Sequence, residues 1–446
     1  MIDSIVHYIN SRPIRVLFGL ILFHMFLSVI FSLIAHSSIA DHLHDGEGFW
    51  HFAGDATLYH REAIIQTQLL NDGLWLEWFK SYKYHLNTKA ISILYWLTSV
   101  ENPLIFELIN GPLWVVSIVS IYKSSKLLFN DRTALYVMIF FFQPSILMSS
   151  MQLLRDPILI AGFSILCYGW LDFYKNKPNW RNVILIYIGF ILIFTMRSYL
   201  IPIFTIVFLF SLIWCFMVKN ISFFQALLII IPLFVAVQSN NHVYLGDLGI
   251  DKVILDTVIP IKQETSSLSK QETSSLSKQE TSSLSKEIFE KISIRMSGLR
   301  TGFFNINKES GSKIDSEITF KNLSEILNYL PIAMRNGFLS PFPKQWVEEG
   351  KQTGFIGRII SGFETVIWYF LLSGFLYVII RKPYIVTPLA PILLTSIVII
   401  ILLGYVVPNV GAIYRMRQGF MIPFFIFGMY GVQMIIHSLL TKFGVR

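Results

Sequence analysis

Of the 446 residues, 54% are hydrophobic and only 14% are charged, whereas a soluble globular chain carries about 25% charged residues. That deficit, together with 38 Phe and 10 Trp, excludes an ordinary water-soluble protein and fits apolar side chains that face lipid. The net charge of +8, from 36 Lys and Arg against 28 Asp and Glu, does not point to nucleic acid, because the basic residues gather at the ends of apolar runs, where topology signals belong.

The first apolar run, about 16–35, is too long for a signal peptide and lacks a small-residue cleavage site, so it reads as the first span. Further runs near 102–121, 133–150, 157–174, 183–198, 200–218, 221–239, 363–380, 385–404 and 418–439 bring the expected number to about ten. The apolar segment 91–100 is shorter and reads as an interfacial or re-entrant helix. Cys167 and Cys215 lie inside apolar runs without metal-ligand spacing, which argues against a disulfide framework or a zinc site. Cationic residues at alternate ends of the spans (Arg12 and Arg15, then Lys123, Lys126 and Arg132, then Lys175, Lys177 and Arg181, then Lys219, Arg381, Lys382, Lys442 and Arg446) place both termini in the cytoplasm. The expectation is an all-α polytopic transmembrane protein with two large extracytoplasmic segments. A membrane region, 1–239, contains the first outer loop, 36–101; an outer segment follows at 240–362, and a second membrane region at 363–446.

The first outer loop opens with an acidic and histidine-rich run, Asp41, His42, His44, Asp45, Glu47 and His51. It could hold a divalent cation, but irregular spacing favours a solvated loop. After it comes Gly54-Asp55-Ala56, where Gly54 allows a tight turn into a helix that carries Asp55, Tyr59 and Glu62 on one face. A carboxylate there, partly hydrated at the mouth of the membrane domain, can act as general base towards a hydroxyl; the simpler alternative is that Asp55 caps the helix.

Within the second span Glu107 and Asn110 stand at i and i+3, and an ionisable residue in a span is a functional candidate by default. Next, Gln143-Pro144-Ser145 leads through Ser149-Ser150 to Arg155-Asp156-Pro157. Arg155 offers a planar fork of donors to a phosphate and Asp156 would hold its orientation, unless the two merely staple the helix end. Arg197 follows in Met196-Arg197-Ser198-Tyr199, and Arg415 and Arg417 close the turn Asn409-Val410-Gly411-Ala412-Ile413-Tyr414. All four arginines fall at outer membrane ends in this topology, against the positive-inside bias, and so are candidates to bind an anion, lipid headgroups being the competing explanation. In the second outer segment the octapeptide Lys-Gln-Glu-Thr-Ser-Ser-Leu-Ser occurs three times, at 262–269, 270–277 and 278–285. A polar repeat of this period cannot bury apolar area, and it reads as a disordered insert without chemistry.

The order of Gly54-Asp55-Ala56 with Tyr59 and Ala63, Pro144-Ser145, Arg155-Asp156, and Asn409-Val410-Gly411 with Tyr414, Arg415 and Arg417 resembles bacterial polytopic proteins of the GT-C glycosyltransferase superfamily. The stretch from Tyr329-Leu330-Pro331 to Pro341-Phe342-Pro343 is similar to theirs as well, and the likeness touches residues 16–439. The resemblance implies a polyprenyl-phosphate-linked sugar donor, a glycan or lipid acceptor and transfer at the outer face of the cytoplasmic membrane. Asp55 would be the catalytic base, Arg155, Arg197, Arg415 and Arg417 would bind the donor phosphate, and Tyr59 and Tyr414 would support them. Many relatives carry two adjacent acids, whereas Ala56 follows Asp55 here; a second acid would come from Glu62, Glu107 or Asp156, and a metal requirement stays open. Two other readings compete: a repeat-unit polymerase or ligase for surface polysaccharide, and a lipid-linked glycan flippase, against which no matching pair of broken spans is seen in two halves.

Overall fold

The computed structural model describes residues 2–81, 86–176, 179–219, 227–231, 233–234, 277–306 and 311–443. Among these every regular element is a helix, and extended segments meet only in isolated bridges such as His44 with Trp50. The amino-terminal series is α1 (Ile2–Ser11), α2 (Pro13–Ala35), α3 (Asp55–Asn71), α4 (Trp75–Lys80), α5 (Leu86–Thr98), α6 (Glu107–Leu128), α7 (Asp131–Met138), α8 (Pro144–Ser150), α9 (Asp156–Lys175), α10 (Trp180–Met196) and α11 (Ile201–Lys219). After it come α12 (Ser277–Ile306), α13 (Leu323–Leu339), α14 (Pro343–Trp346), α15 (Gly354–Arg381), α16 (Ala390–Val406), α17 (Val410–Met416) and α18 (Ile422–Lys442).

Seven helical stretches among the described residues are long and apolar enough to cross a membrane: Pro13–Ala35, Pro103–Leu128, Asp156–Lys175, Ser198–Met217, Gly354–Arg381, Pro383–Val406 and Gln418–Lys442. An eighth is broken, since Asp131–Phe142 and Pro144–Ser150 meet at 63°. Pro144 explains the break: it lacks an N–H and pushes Gln143 into extended backbone, at φ −63° and ψ 132°. Of the ten expected runs, 183–198 corresponds to the 17-residue helix α10, and 221–239 lies largely outside the described residues. The first two octapeptide copies lie outside them too, except Ser277, while the third falls within α12.

The chain divides into two compact units: Met1–Asn241 with Pro341–Ile399 and Met416–Arg446, and His242–Ser340 with Ile400–Arg415. In the first, α9 is buried on nearly every face and packs between α6 and α10. Small residues permit that approach: a Cβ on Gly189 would come within 2.9 Å of the Gly162 carbonyl oxygen. The pair α15 and α18 meets in the same way through Gly374, Gly428 and Gly431. By contrast α2 buries only His24, Ser28 and Ala35 and exposes Phe18, Phe26 and Leu33, the pattern of a helix against lipid. The loop expected at 36–101 folds into a helical hairpin, in which Gln66 of α3 donates to Thr88 of α5 and Trp78 Nε1 donates to Ser92 Oγ at 3.0 Å. At 13 residues α5 is too short to cross a bilayer.

The second unit is organised around Arg300 of α12, which is 1% exposed. Its guanidinium donates to the carbonyls of Tyr405 at 2.6 Å and Asp315 at 2.5 Å and lies over the Tyr329 ring. Burial pushes the Tyr329 phenol up to about 12, and its O–H donates to Asp315 Oδ2 at 3.0 Å. Close approach of α13 to the 400–406 end of α16 requires Gly404, whose Cβ would overlap the Ala333 carbonyl.

Candidate functional site

Gly54 precedes α3 and Asp55 is its first residue, half-buried, at the end where unpaired N–H groups favour negative charge. The buried face of α3 runs through Ala56, Tyr59, Ala63 and Gln66, so Asp55 and Glu62, both half-buried, flank it along one edge. That face joins an apolar cluster with Tyr95, Phe106, Leu153, Leu154 and Met196, which brings α3 against the turn leading into α9 and the end of α10. At that turn the Arg155 guanidinium lies over the Tyr59 ring, 5.5 Å from its centroid. Arg155 is half-buried and makes no hydrogen bond or ion pair among the described residues.

Behind it, Arg197 Nη2 donates to Asp156 Oδ1 at 2.8 Å, and Nη1 donates to the Tyr199 hydroxyl at 3.0 Å. Both side chains of the pair are more than nine-tenths buried. The arrangement suits both helix dipoles, with the carboxylate in the first turn of α9 and the guanidinium just past the last turn of α10. On the far side of α3, His60 Nδ1 lies 2.8 Å from the Tyr95 hydroxyl, and burial holds its imidazole below the usual histidine range.

The remaining sequence candidates are divided. Arg417 belongs to the first unit, is fully buried and lies over the Trp368 ring at 5.7 Å. One turn before Trp368, Glu364 accepts from the Ser145 backbone N–H at 2.8 Å. Tyr414 and Arg415 are half-buried in α17 of the second unit, whose start is capped by Asn409, accepting from Ala412 N at 3.0 Å. Glu107 pairs with His24, Nδ1 to Oε2 at 2.8 Å. Thus Asp55, Tyr59, Arg155, Asp156 and Arg197 form one constellation within the first unit. In the acidic and histidine-rich run, Asp45 Oδ1 accepts from Glu47 N and Phe49 N, and His44 Nδ1 accepts from Gly46 N while Nε2 meets the Ile39 carbonyl. These groups fold the loop, and no three His, Cys, Asp or Glu among the described residues converge on a metal position.

His24, Glu364 and Trp368 were not singled out from the sequence, whereas Ser150 stood in the stretch leading to Arg155. His24 and Glu364 had a usable signal, a polar ionisable residue inside an apolar run. No family model, no curated protein and no solved structure matches the chain.

Proposed function

We propose that the protein is a membrane glycosyltransferase, built on a GT-C-like framework of about ten spans in the bacterial cytoplasmic membrane. It moves a sugar from a polyprenyl-phosphate-linked donor to a glycan or lipid acceptor at the outer face. The observation that carries this reading is the Arg155 guanidinium, laid on the Tyr59 ring at the start of α9 and committed to no other charge among the described residues. A planar fork held in this way can grip two oxygens of a phosphate. Asp55 stands one turn before Tyr59 on the same helix. In the proposed reaction its carboxylate takes the proton of an acceptor hydroxyl, the hydroxyl oxygen bonds to the anomeric carbon, and the bond from that carbon to the donor phosphate breaks. The electron pair leaves with the phosphate, whose charge Arg155 neutralises. The Asp156–Arg197 pair supports this by fixing the turn that carries Arg155.

The test restores a deletion strain with wild type, Asp55→Asn or Arg155→Met at equal membrane level and compares surface glycans by gel and mass spectrometry. Loss of a general base lowers transfer by about 10²–10⁴-fold, so Asp55→Asn should leave the glycan one sugar short. Full restoration by Asp55→Asn would reject the proposal. Shortened polymer would then favour the repeat-unit polymerase, and precursor trapped on the inner face the flippase.

A further inference from the structure

The least expected feature of the first unit is a polar couple inside its helices. His24 lies in the middle of α2, is 0% exposed, and meets two other helices. Its Nδ1 lies 2.8 Å from Glu107 Oε2 on α6, its Nε2 lies 2.7 Å from Ser150 Oγ on α8, and its ring sits 5.0 Å from that of Trp114. The Ser150 hydroxyl donates to the Leu147 carbonyl at 2.6 Å. A hydroxyl has one hydrogen, so the two contacts of Ser150 allow two arrangements: with that hydrogen on Leu147 the imidazole donates through Nε2, and with it turned to Nε2 the ring carries its own hydrogen on Nδ1. In the first arrangement the short contact between Nδ1 and the carboxylate needs a second proton, held between nitrogen and oxygen. Written either as imidazolium and carboxylate or as imidazole and carboxylic acid, the couple then holds two protons, one more than in the second arrangement, a neutral histidine beside a carboxylate.

The geometry points to His24 and Glu107 as a buried binding site for one exchangeable proton, whose occupancy sets the hydrogen bond of Ser150. When the extra proton leaves to water, one hydrogen remains on the ring. It stays on Nδ1, facing the carboxylate, because a bare Nδ1 against a carboxylate is repulsive. Nε2 becomes an acceptor, and the Ser150 hydroxyl must turn from the Leu147 carbonyl to the imidazole. Proton release therefore loosens the last turn of α8, five residues before Arg155.

Two observations favour a site that exchanges its proton over a fixed ion pair. Glu107 Oε1 is buried and has no hydrogen-bond partner among the described residues, and neither has Asn110 Oδ1, one turn further along α6. A carboxylate held permanently ionised in an apolar interior would be expected to have both oxygens satisfied. Gly111 leaves room at the couple, since a Cβ there would meet Glu107 Oε2 and His24 Nδ1 at no closer than 3.8 Å. As to other charges, α6 presents Glu107 itself and α8 presents only the Ser150 hydroxyl. Among the described residues no Lys, Arg or Asp pairs with either member. This inference does not depend on glycosyl transfer.

The experiment uses the full chain in lipid nanodiscs with ¹⁵N-labelled histidine. Ring nitrogen resonances and the infrared carboxyl band are followed as pH is swept across the range the folded protein tolerates. Loss of one proton per chain, seen in wild type and removed by both Glu107→Gln and His24→Gln, is the expected result. Ser150→Ala should alter the Nε2 resonance and leave the proton count unchanged. A His24 ring that stays doubly protonated beside an ionised Glu107 throughout would overturn the proposal, leaving a static ion pair. A ring that stays singly protonated beside a Glu107 that stays ionised throughout would overturn it equally. The wild-type spectra decide between these results even if a variant fails to fold.

Discussion

Asp156 and Arg197 offer the sharpest test of what holds the candidate site together. Their side chains are 8% and 9% exposed and meet at 2.8 Å, so replacing Asp156 by Leu strands a guanidinium whose remaining hydrogen-bond partner among the described residues is the Tyr199 hydroxyl, at 3.0 Å. Removing one member of a buried pair costs about 3–5 kcal/mol. Replacing both, with Asp156→Leu and Arg197→Met together, removes the unpaired charge as well and should cost under about 1 kcal/mol, because apolar replacement of such pairs is often neutral. The double variant is then at least about 2 kcal/mol more stable than either single variant, and measured against the sum of the two single effects the coupling is at least about 5 kcal/mol, well beyond the roughly 0.5 kcal/mol scatter of independent sites. Cys167 supplies the assay. It is fully buried in α9, the helix that Asp156 begins, so its rate of thiol labelling in detergent, with Cys215 replaced by Ser, reports opening of that helix. Single variants should label at least tenfold faster and the double variant close to the parent rate. Single variants that label at the parent rate, or a double variant as fast as the two effects added, would refute the idea that this pair fixes the turn into α9.

Three further outcomes follow from the same geometry. Gly431→Ala should part α15 from α18, since the new Cβ would overlap the Gly374 carbonyl oxygen; overpacking of this kind costs about 1–3 kcal/mol, and Gly19→Ala, with nothing within 4 Å of the new Cβ, should be neutral in the same thermal assay. Burial lowers the His60 pKa, so the unfolded chain takes up a proton near about 6.5 while the native state resists it. His60 therefore contributes stability above that pH, and the contribution is lost as pH falls through the folded value; the thermal midpoint should drop more on acidification in wild type than in His60→Gln, and an equal drop would reject the assignment. Arg300→Met removes the donor to the Tyr405 and Asp315 carbonyls, each costing about 1–3 kcal/mol when left unsatisfied, and limited proteolysis should cut faster within 311–322; an unchanged rate would mean that this segment is held by other contacts.

The membrane helices were legible because apolar length needs no partner to be recognised, and the runs beginning near residues 16, 102, 157, 363, 385 and 418 each became a long helix. What a single chain read in order could not convey was pairing. Arg197 read as a phosphate-binding candidate because its position opposes the topology bias, yet Asp156, 41 residues away, already holds it. Asp156 likewise read as a spare acid. Glu107 stood out as an ionisable residue in a span, but its partner His24 lay 83 residues earlier, inside the first apolar run. The break at Pro144 was hidden by the hydrophobicity of its surroundings, since Phe140, Phe141 and Ile146 keep a window average high while the backbone turns.

That break explains why so much chemistry converges on residues 144–156. Backbone that leaves the helix inside a membrane domain must find its hydrogen bonds in other protein groups, since lipid offers none. Here Ser145 N donates to Glu364 of α15, Asn110 of α6 donates to the Gln152 carbonyl at 3.1 Å, and Leu154 N turns back to the same carbonyl at 2.8 Å. The side chains of the stretch reach outward as well: Ser150 to His24 of α2, Arg155 to Tyr59 of α3, and Asp156 to Arg197 after α10. A continuous helix could not present these residues to five surrounding helices at once, because one face would be spent on each neighbour. The same stretch therefore carries, within a dozen positions, the acid of a committed ion pair, the hydroxyl that meets the proposed proton couple, and a cation without an ion-pair partner among the described residues. Pro144→Ala tests this dependence. If the break creates the convergence, restoring the missing N–H should straighten the segment and weaken the Arg155, Asp156 and Ser150 contacts together, read as loss of transfer, faster Cys167 labelling and a changed Nε2 resonance in one variant. Loss of any one of these signals without the other two would show that the contacts are set locally and that the bend only accommodates them.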